Sequence, residues 1–461
     1  MRPLTAQWVA TAVGGELAAS PDAVVTAVDK DSRDIRPGSL YTAFVGERVD
    51  GHDYAPRAFA AGATLALVSR PVAGPHVLVD DVAQALGRLA REYLALLRAE
   101  GDITVIGITG SNGKTTTKDL LAQVLDDVVA PVGSFNNEIG LPLTVLRADA
   151  STRHLVLEMG ASAPGDLAYL TRIAPLDVAV VLTVGTAHLG GYGSPEALAA
   201  EKATLLDGLV PGGTALLNAD DDRVAAMAAR PPLQGEGRRV RTFGTGAGAD
   251  LVGTGITLDR GRASFTVTAG SAAAVALRLV GEHHVTNALA AVAVALECGV
   301  DLRAAAERVS EAVPLSPHRM ALTERPDGVW ILDDSYNASP ESMRAALRAL
   351  REVATTGRSF AVIGEMREMG AASRAGHEEI GLDVVRLRID HLLVVGEGAK
   401  PAHASAVREG SWGDEAAYVA TIDEARAFLD GRLTRGDTVL IKASHGAGLW
   451  KLADDLLGVH E

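Results

Sequence analysis

The sequence has little of several residue types that mark common classes of protein. Only one of its 461 residues is a cysteine, Cys298, which excludes an internal disulfide and a zinc site built from cysteines. Aromatic residues make up only 4% of the chain, so alanine, leucine and valine supply most of its apolar 48%. No apolar run reaches the roughly 18 residues that a membrane span requires. The N-terminal stretch MRPLTAQWVA also lacks the apolar core of a secretory signal peptide.

Basic residues are also in deficit, and the formal net charge is −15. This balance argues against a general nucleic-acid binder or a protein of anionic membrane surfaces, both of which need a basic face. A negative net charge does not prevent the binding of small anionic substrates, because local lysines, arginines and helix ends can bind them. The charge and the lone cysteine predict a protein of the reducing cytoplasm with no nucleic-acid partner and no membrane span, and we expect a monomer.

The length predicts about three domains. Residues 1–98 alternate short strands and helices, which indicates a small N-terminal α/β module. Residues 99–314 repeat apolar strands and helices in the order typical of a doubly wound parallel sheet, with an antiparallel excursion over 230–273. Residues 315–461 repeat that pattern as a C-terminal Rossmann-like domain. The polar stretch 99–102 and the segment 314–317 are the predicted links.

The central region opens with a predicted phosphate-binding loop. Ile103–Ile106 is a short β-branched strand, residues 107–115 read GITGSNGKT, and residues 116–127 have helical spacing. Backbone N–H groups and a helix N-terminus would face an anion, Lys114 would add a cation, and the Thr115 hydroxyl could reach Mg²⁺. Ile108 stands where the strict motif has glycine. The alternative is a glycine-rich turn with a surface lysine. The predicted loop comprises Gly110, Ser111, Asn112, Gly113, Lys114, Thr115 and Thr116.

Three further residues follow strands or lie on a helix of the central region. Glu158 ends a predicted strand at the edge that carries the phosphate loop, where it could hold Mg²⁺ or simply meet solvent. His188 follows the next strand, but imidazole is a mediocre ligand for a hard cation and a loop histidine is commonly a surface residue. Lys202 has helical spacing around it, and nothing local distinguishes it from a solvent-facing lysine.

Two features near the second link point to the same chemistry. Residues 333–337, DDSYN, close a predicted strand and could cover a nucleotide, although a helix cap and turn would explain them equally well. Arg319 is a candidate cation for a transferring phosphate. From the residues alone it is one arginine among many.

Taken together, these segments resemble the Mur ligases, the ATP-dependent ligases of peptidoglycan precursor synthesis. The family's loop, Thr-Gly-x-x-Gly-Lys-Thr/Ser, matches Thr109–Thr115 and does not keep the glycine replaced by Ile108. Residues 136–142 and 333–338 match Asn-Asn-x-Ile-Gly-x-Pro and Asp-Asp-Ser-Tyr-Asn-Ala, which are typical of members that add D-alanyl-D-alanine. Lys442-Ala443-Ser444 resembles the family's Lys-Gly-Ser with alanine for glycine.

The resemblance implies roles for individual residues. Glu158 and His188 fall on Mg²⁺ positions with Thr115, and Lys202 falls on a lysine that the family often carries as a carbamate. The implied catalytic residues are Lys114, Lys202 and His188. The family's adenine-side histidine falls on His283 by one count and on His284 by another, and we favour His284. The implied ATP-binding residues beyond the loop are His284, Asn287, Arg319, Asp334 and Asn337, and those for the uridine diphosphate substrate are Ser32, Arg33, Phe44, Gly46, Asp50, Asn136 and Asn137.

The implied activity is an ATP- and Mg²⁺-dependent joining of D-Ala-D-Ala to UDP-N-acetylmuramoyl-tripeptide through an acyl phosphate. Domain 1–98 would bind the UDP-sugar, domain 99–314 ATP, and domain 315–461 would complete the site. The first alternative is a sister ligase that adds a single amino acid, or a folylpolyglutamate-type ligase. The second is a catalytically silent nucleotide-binding switch or scaffold.

Overall fold

The computed structural model describes residues 1–46, 49–185, 192–410 and 415–459. His188 lies outside this part of the chain. Three α/β units follow one another, each built on its own sheet. No helix among the described residues is both long enough and apolar enough to cross a membrane.

The N-terminal unit contains a five-stranded sheet of order β2-β7-β6-β5-β4, in which only the edge strand β2 runs antiparallel to its neighbour. A separate antiparallel pair joins β1 to β3. The strands are β1 Leu4–Thr5, β2 Glu16–Ala18, β3 Val24–Val25, β4 Ala27–Asp29, β5 Ser39–Thr42, β6 Leu65–Val68 and β7 His76–Leu78. The helices are α1 Ala6–Val13, α2 Ala55–Ala60 and α3 Val82–Glu100.

The central unit contains a nine-stranded sheet of order β16-β15-β14-β13-β12-β11-β8-β10-β9. Strands β8 to β14 pair in parallel, and β14, β15 and β16 form the antiparallel excursion. The strands are β8 Thr104–Thr109, β9 Val128–Val129, β10 His154–Glu158, β11 Leu176–Val181, β12 Leu209–Asn218, β13 Arg239–Gly244, β14 Leu251–Asp259, β15 Arg262–Ala269 and β16 Ser271–Val280. The helices are α4 Lys114–Val124, α5 Gly140–Val145, α6 Asp166–Ile173, α7 Pro195–Ala203, α8 Asp222–Ala225, α9 His284–Glu297 and α10 Leu302–Glu311.

The C-terminal unit contains a six-stranded sheet of order β17-β18-β22-β19-β20-β21, parallel except for β17. Separate apolar clusters cover its two faces, as a doubly wound sheet requires. The strands are β17 Ala321–Glu324, β18 Trp330–Asp333, β19 Ser359–Ile363, β20 His391–Val395, β21 Ala416–Val419 and β22 Thr438–Lys442. The helices are α11 Pro340–Val353, α12 Ser373–Arg386, α13 Lys400–Glu409, α14 Ile422–Leu429 and α15 Trp450–Leu457. The α/β fold class with three units is confirmed.

Helix α3 connects the first two units through a shared core. It packs against α1 on one side and against α5 and α6 on the other. Tyr93, in the middle of the helix, accepts a hydrogen bond from the Arg2 backbone N–H at 2.8 Å and donates to the Ala148 carbonyl at 2.7 Å. One continuous apolar cluster therefore contains residues from both units. The expected boundary at residue 98 falls within the last turn of this helix, so the polar link 99–102 is shorter than predicted.

The helix after the phosphate loop starts and ends earlier than its apolar spacing predicts. It begins at Lys114, because Gly113 caps it with a left-handed backbone of φ +86°. It ends at Val124, because Leu125 is already extended and Asp127 has φ +47°. The helical spacing over 116–127 therefore runs three residues past the observed end, while the helix opens at Gly113-Lys114-Thr115 as the phosphate loop predicts. The earlier start puts Lys114 and Thr115 in the first turn, where backbone N–H groups have no partner within the helix.

Candidate active site

The phosphate loop crosses from β8 to α4 beneath helix α9, and its two glycines fit where side chains would collide. A Cβ on Gly113 would lie 2.3 Å from Asn287 Oδ1, and one on Gly110 would lie 2.9 Å from the Leu182 Cβ. The Ser111 backbone N–H donates to the Thr183 carbonyl at 2.9 Å, which ties the loop to the segment after β11. The loop is thereby fixed with the first turn of α4 facing a cavity of about 740 Å³.

Lys114 folds back over its own loop. Its Nζ donates to the Gly110 carbonyl oxygen at 2.7 Å, and its side chain lines the cavity. Burial lowers the pKa of its amine. A phosphate anion in the cavity would offer this ammonium a stronger acceptor than a neutral carbonyl.

A buried carboxylate lies beside the loop. Glu158 ends β10, whose last residue is in register with Ile108 of β8, and it is only 1% exposed. Its carboxylate accepts hydrogen bonds from Thr115 Oγ1 and from Asn136 Nδ2, both at 2.9 Å. Oxygen donors of this kind suit Mg²⁺, which usually takes one or two carboxylates and completes its shell with phosphate oxygens and water. No group of three or more acidic, histidine or cysteine side chains suited to a metal occurs among the described residues.

Arg319 reaches this cluster from the segment that precedes the third sheet. Its Nη2 donates to Thr115 Oγ1 at 3.2 Å and to Ser134 Oγ at 3.0 Å, and its guanidinium lies 4.1 Å from the Tyr336 ring centroid. Its Nε is buried without a hydrogen-bond partner in the described part of the chain. A buried donor of this kind is costly unless a ligand accepts from it, which fits an anionic group in the cavity.

Lys202 is buried rather than solvent-facing. It lies on α7, is 2% exposed and lines the same cavity. Burial and, to a smaller extent, the nearby Lys114 lower its pKa to about 7. A substantial fraction of this amine is therefore neutral and nucleophilic near neutral pH. Periodicity alone did not reveal this, because α7 is rich in alanine and presents no clear polar face.

The opposite end of the cavity is formed by α9 and by the turn after β18. His284 and Asn287 contact each other through Nδ1 and Nδ2 at 3.2 Å, and His284 Nε2 is buried without a partner in the described residues. Burial lowers the pKa of His284 well below its usual value, so the ring is neutral. Asp334 accepts from Lys442 Nζ, which also donates to the Asn337 carbonyl at 2.7 Å. His283 lines the cavity as well, so both histidines that the sequence left open are present.

The residues expected at the uridine diphosphate site are not in this cavity, with the exception of Asn136. Ser32, Arg33, Phe44, Gly46 and Asp50 belong to the N-terminal unit, where Arg33 pairs with Asp31 and Asp50 pairs with His52 and Arg70. Asn137 instead lies in the turn before α5, where its Oδ1 accepts from the Gly140 N–H at 2.9 Å. One contact links the two regions, because Lys30 Nζ lies 4.9 Å from the ring centroid of Phe135, next to Asn136.

Other cavity residues were not predicted as site residues. Tyr336 and Lys442 were visible only within matched motifs, and Ser134 carried no signal of its own.

The alanine of Lys442-Ala443-Ser444 has a simple explanation. A Cβ on Gly364 would lie 2.8 Å from the Ala443 Cβ, so Ala443 occupies the space left by that glycine. The cavity brings together, from the sequence predictions, Ser111, Asn112, Gly113, Lys114, Thr115, Thr116, Asn136, Glu158, Lys202, His284, Asn287, Arg319, Asp334 and Asn337.

Family comparisons agree with this arrangement of sheets and phosphate loop. The Mur ligase family catalytic domain matches residues 24–94, the Mur ligase middle domain 108–295, and the Mur ligase glutamate ligase domain 318–445. The chain belongs to the Mur ligase family.

Several relatives that match over nearly the whole chain carry the same name. The UDP-N-acetylmuramoyl-tripeptide--D-alanyl-D-alanine ligase of Mycobacterium bovis is 45% identical over 506 aligned positions, which cover 99% of this chain and 98% of the relative. The Escherichia coli enzyme of that name is 33% identical, covering 95% and 94%. A crystal structure of MurF from Acinetobacter baumannii superposes with a TM-score of 0.87 at 30% identity, covering 99% of both chains. MurF of Thermotoga maritima in complex with ADP gives a TM-score of 0.76 at 30% identity, covering 94% and 98%.

Proposed function

We propose that this protein is an ATP-dependent ligase that joins D-alanyl-D-alanine to UDP-N-acetylmuramoyl-tripeptide. The observation that carries the proposal is the single cavity in which Lys114, Thr115, Glu158 and Arg319 converge on the phosphate loop. Full-length relatives named for this reaction, and a solved relative in complex with ADP, support the choice of substrates and of ATP. The reaction belongs to the cytoplasm, where ATP is available.

The chemistry follows from the poor reactivity of a carboxylate toward an amine. Transfer of the γ-phosphoryl group of ATP to the tripeptide's terminal carboxylate gives an acyl phosphate and ADP. The free amine of D-Ala-D-Ala then attacks the acyl carbon, the amide bond forms and inorganic phosphate leaves. Lys114 and Arg319 would offset the charge that develops on the transferring group.

The same residues fit a magnesium ion. Glu158 and the Thr115 hydroxyl would hold it, with His188 added by the family resemblance. When bound, Mg²⁺ supplies positive charge that offsets the phosphate oxygens. The adenosine end would lie at His284 and Asn287, with Asp334 and Asn337 toward the ribose. The orphaned Nε2 of His284 supports this placement.

Lys202 is proposed to carry a carbamate. Its neutral amine nitrogen would attack the carbon of CO₂ and lose a proton, which converts a cation into an anion beside Lys114 and the predicted metal position. The buried side chain and its pKa of about 7 support the modification, because only the unprotonated amine reacts.

The uridine diphosphate substrate is proposed to bind to Ser32, Arg33, Phe44, Gly46 and Asp50 of the N-terminal unit, with Asn136 and Asn137 on the central side. The contact between Lys30 and Phe135 supports this placement, since it brings the 31–33 segment next to the 136–137 segment. Closure of the third unit over the acyl phosphate would exclude water from it.

The deciding experiment is mass spectrometry of the product formed from UDP-N-acetylmuramoyl-tripeptide, ATP and D-Ala-D-Ala. The expected product carries the dipeptide on the tripeptide's terminal carboxyl, with one ADP and one phosphate released per amide bond. A panel of single amino acids and folate acceptors tests the sister-ligase alternative. ATP binding without dipeptide-dependent ADP release would favour the silent switch.

A further inference from the structure

The segment between the central and third units lies along the phosphate-loop helix. We define residues 312–320, between α10 and β17, as the connector. Two of its apolar side chains gain little burial, because Val313 is 42% exposed and Leu315 is 53% exposed. Ala312 and Met320 anchor the two ends of the connector in the apolar cores, so between them the position of the stretch depends mainly on polar contacts.

At its far end, His318 contacts Asp333 at 2.7 Å and the Met320 N–H donates to Asp334 at 3.3 Å, and at its near end two side chains on one face of α4 hold it. Gln123 binds Val313 twice, because its Nε2 donates to the Val313 carbonyl at 2.9 Å and its Oε1 accepts from the Val313 N–H at 3.0 Å. One turn earlier, Asp119 accepts from the Ser316 N–H at 2.9 Å and from its hydroxyl at 3.1 Å. Side chains four residues apart are neighbours on a helix. The two pairs therefore attach one helix face to the connector with four hydrogen bonds.

The Asp119 contact is buried and includes a cation. Lys118 donates to Asp119 and, at 3.2 Å, to the Ser316 hydroxyl. Lys118, Asp119 and Ser316 are all buried. A buried ion pair adds little net stability, because desolvation offsets its attraction. What this arrangement does supply is one defined position for Ser316.

Arg319 follows Ser316 by three residues and reaches the first turn of the same helix through Thr115. Helix α4 thus carries the phosphate loop at its start and anchors the connector in its middle. We propose that Asp119 and Gln123 are positioning residues that act through Arg319, by fixing the connector so that the guanidinium meets the transferring phosphate. This inference rests on the proposed function, in which Arg319 stabilises that phosphate.

The test variant is Gln123→Ala, which removes both bonds to Val313 without leaving a buried charge. Because a 1 Å misplacement of a catalytic group can cost on the order of 10²-fold in rate, we expect kcat to fall by about tenfold or more. The Michaelis constants for the two peptide substrates should stay close to those of the parent. Gln123→Glu keeps an acceptor for the Val313 N–H but turns a carboxylate oxygen toward the Val313 and Asp119 carbonyls, so it should lose at least as much. Asp301→Ala is the matched control, since it removes two N-cap hydrogen bonds from α10 next to the connector and should leave kcat unchanged.

A double-mutant cycle with Arg319→Ala separates positioning from general stability. If Gln123 acts through Arg319, Gln123→Ala lowers kcat in the parent but has no further effect on the residual rate of Arg319→Ala. The inference would be overturned if Gln123→Ala lowered kcat equally in both backgrounds. It would also be overturned if Asp301→Ala lowered kcat as much as Gln123→Ala does for the same drop in melting temperature. Either result would leave the ligase activity established. A parent enzyme that forms no dipeptide product would instead overturn the proposed function, and the positioning role with it.

Discussion

Gly113→Ala is expected to damage both stability and nucleotide use, because Gly113 meets two separate constraints. Its backbone has φ +86°, and its missing Cβ would lie 2.3 Å from Asn287 Oδ1 and 3.2 Å from Leu182 Cδ1. Alanine in the left-handed region costs about 1–2 kcal/mol. Moving Asn287 away would also break its contact with His284 Nδ1, a further loss of about 1 kcal/mol.

The control is Gly14→Ala at the end of α1. Gly14 has φ +66° and an added Cβ would meet nothing within 4 Å, so this substitution carries only the backbone cost. Gly113→Ala should therefore be less stable than Gly14→Ala by about 1 kcal/mol, which is the value of the hydrogen bond. Only Gly113→Ala shifts the loop relative to the phosphates, and we expect its kcat/KM for ATP to fall on the order of 10²-fold.

The assay combines thermal melting of both variants with ADP release at varied ATP concentration. Crystals of Gly113→Ala should show Asn287 displaced from the loop. The reasoning would be refuted if the two variants melted at the same temperature and used ATP equally well, since the contact with Asn287 would then carry no energetic or functional weight.

Three further predictions concern charged groups of the cavity. Lys114→Ala should fold normally and lose on the order of 10²-fold or more in kcat, and near-normal turnover would reject its role at the phosphates. Lys202→Met should abolish most activity yet melt higher than the parent at low pH in buffer freed of CO₂. Its folded pKa of about 7 lies below the usual value near 10.5, so burying the charged amine destabilises the parent most below pH 7, and this penalty disappears as pH rises from about 7 to 10.5. A melting difference that stays constant with pH would contradict that shift. Asp334→Asn should destabilise by about 3–5 kcal/mol because it leaves the buried Lys442 ammonium uncompensated. Adding Lys442→Met should restore most of the melting temperature but not the activity, whereas an unchanged Asp334→Asn melting curve would argue against the pair.

Much of the fold was predictable because its signals are local. Apolar strands followed by helices identified the doubly wound sheets, and the predicted strand that Glu158 closes does end at that residue. Strand β16 was missed beyond residue 273. Its sequence, SAAAVALRLV, is rich in alanine, which disfavours strands, and it forms because pairing with β15 overrides that preference.

The site residues also differ in whether a local sequence signal reveals them. The phosphate loop could be found from the residues because the turn, the helix start and the lysine are adjacent in the chain. Lys202, Arg319 and Lys442 are isolated in sequence, and their burial beside the loop results from the packing of distant elements. Only the resemblance to the family singled them out. Asn112 illustrates the limit further, because its Oδ1 accepts from Ser339 Oγ at 3.4 Å across two units, a contact that no local pattern encodes.

Helix α3 has a consequence for how the enzyme can move. Because the two sides of this helix pack into different units, sliding the first unit against the second would expose apolar surface on a helix with nine buried residues. A hinge that opens the cavity is therefore expected between the second and third units, and the connector, held to α4 through Val313 and Ser316, would move with the second unit. Cutting the chain near residue 98 would not release two soluble parts, because each part would expose its share of the common apolar core.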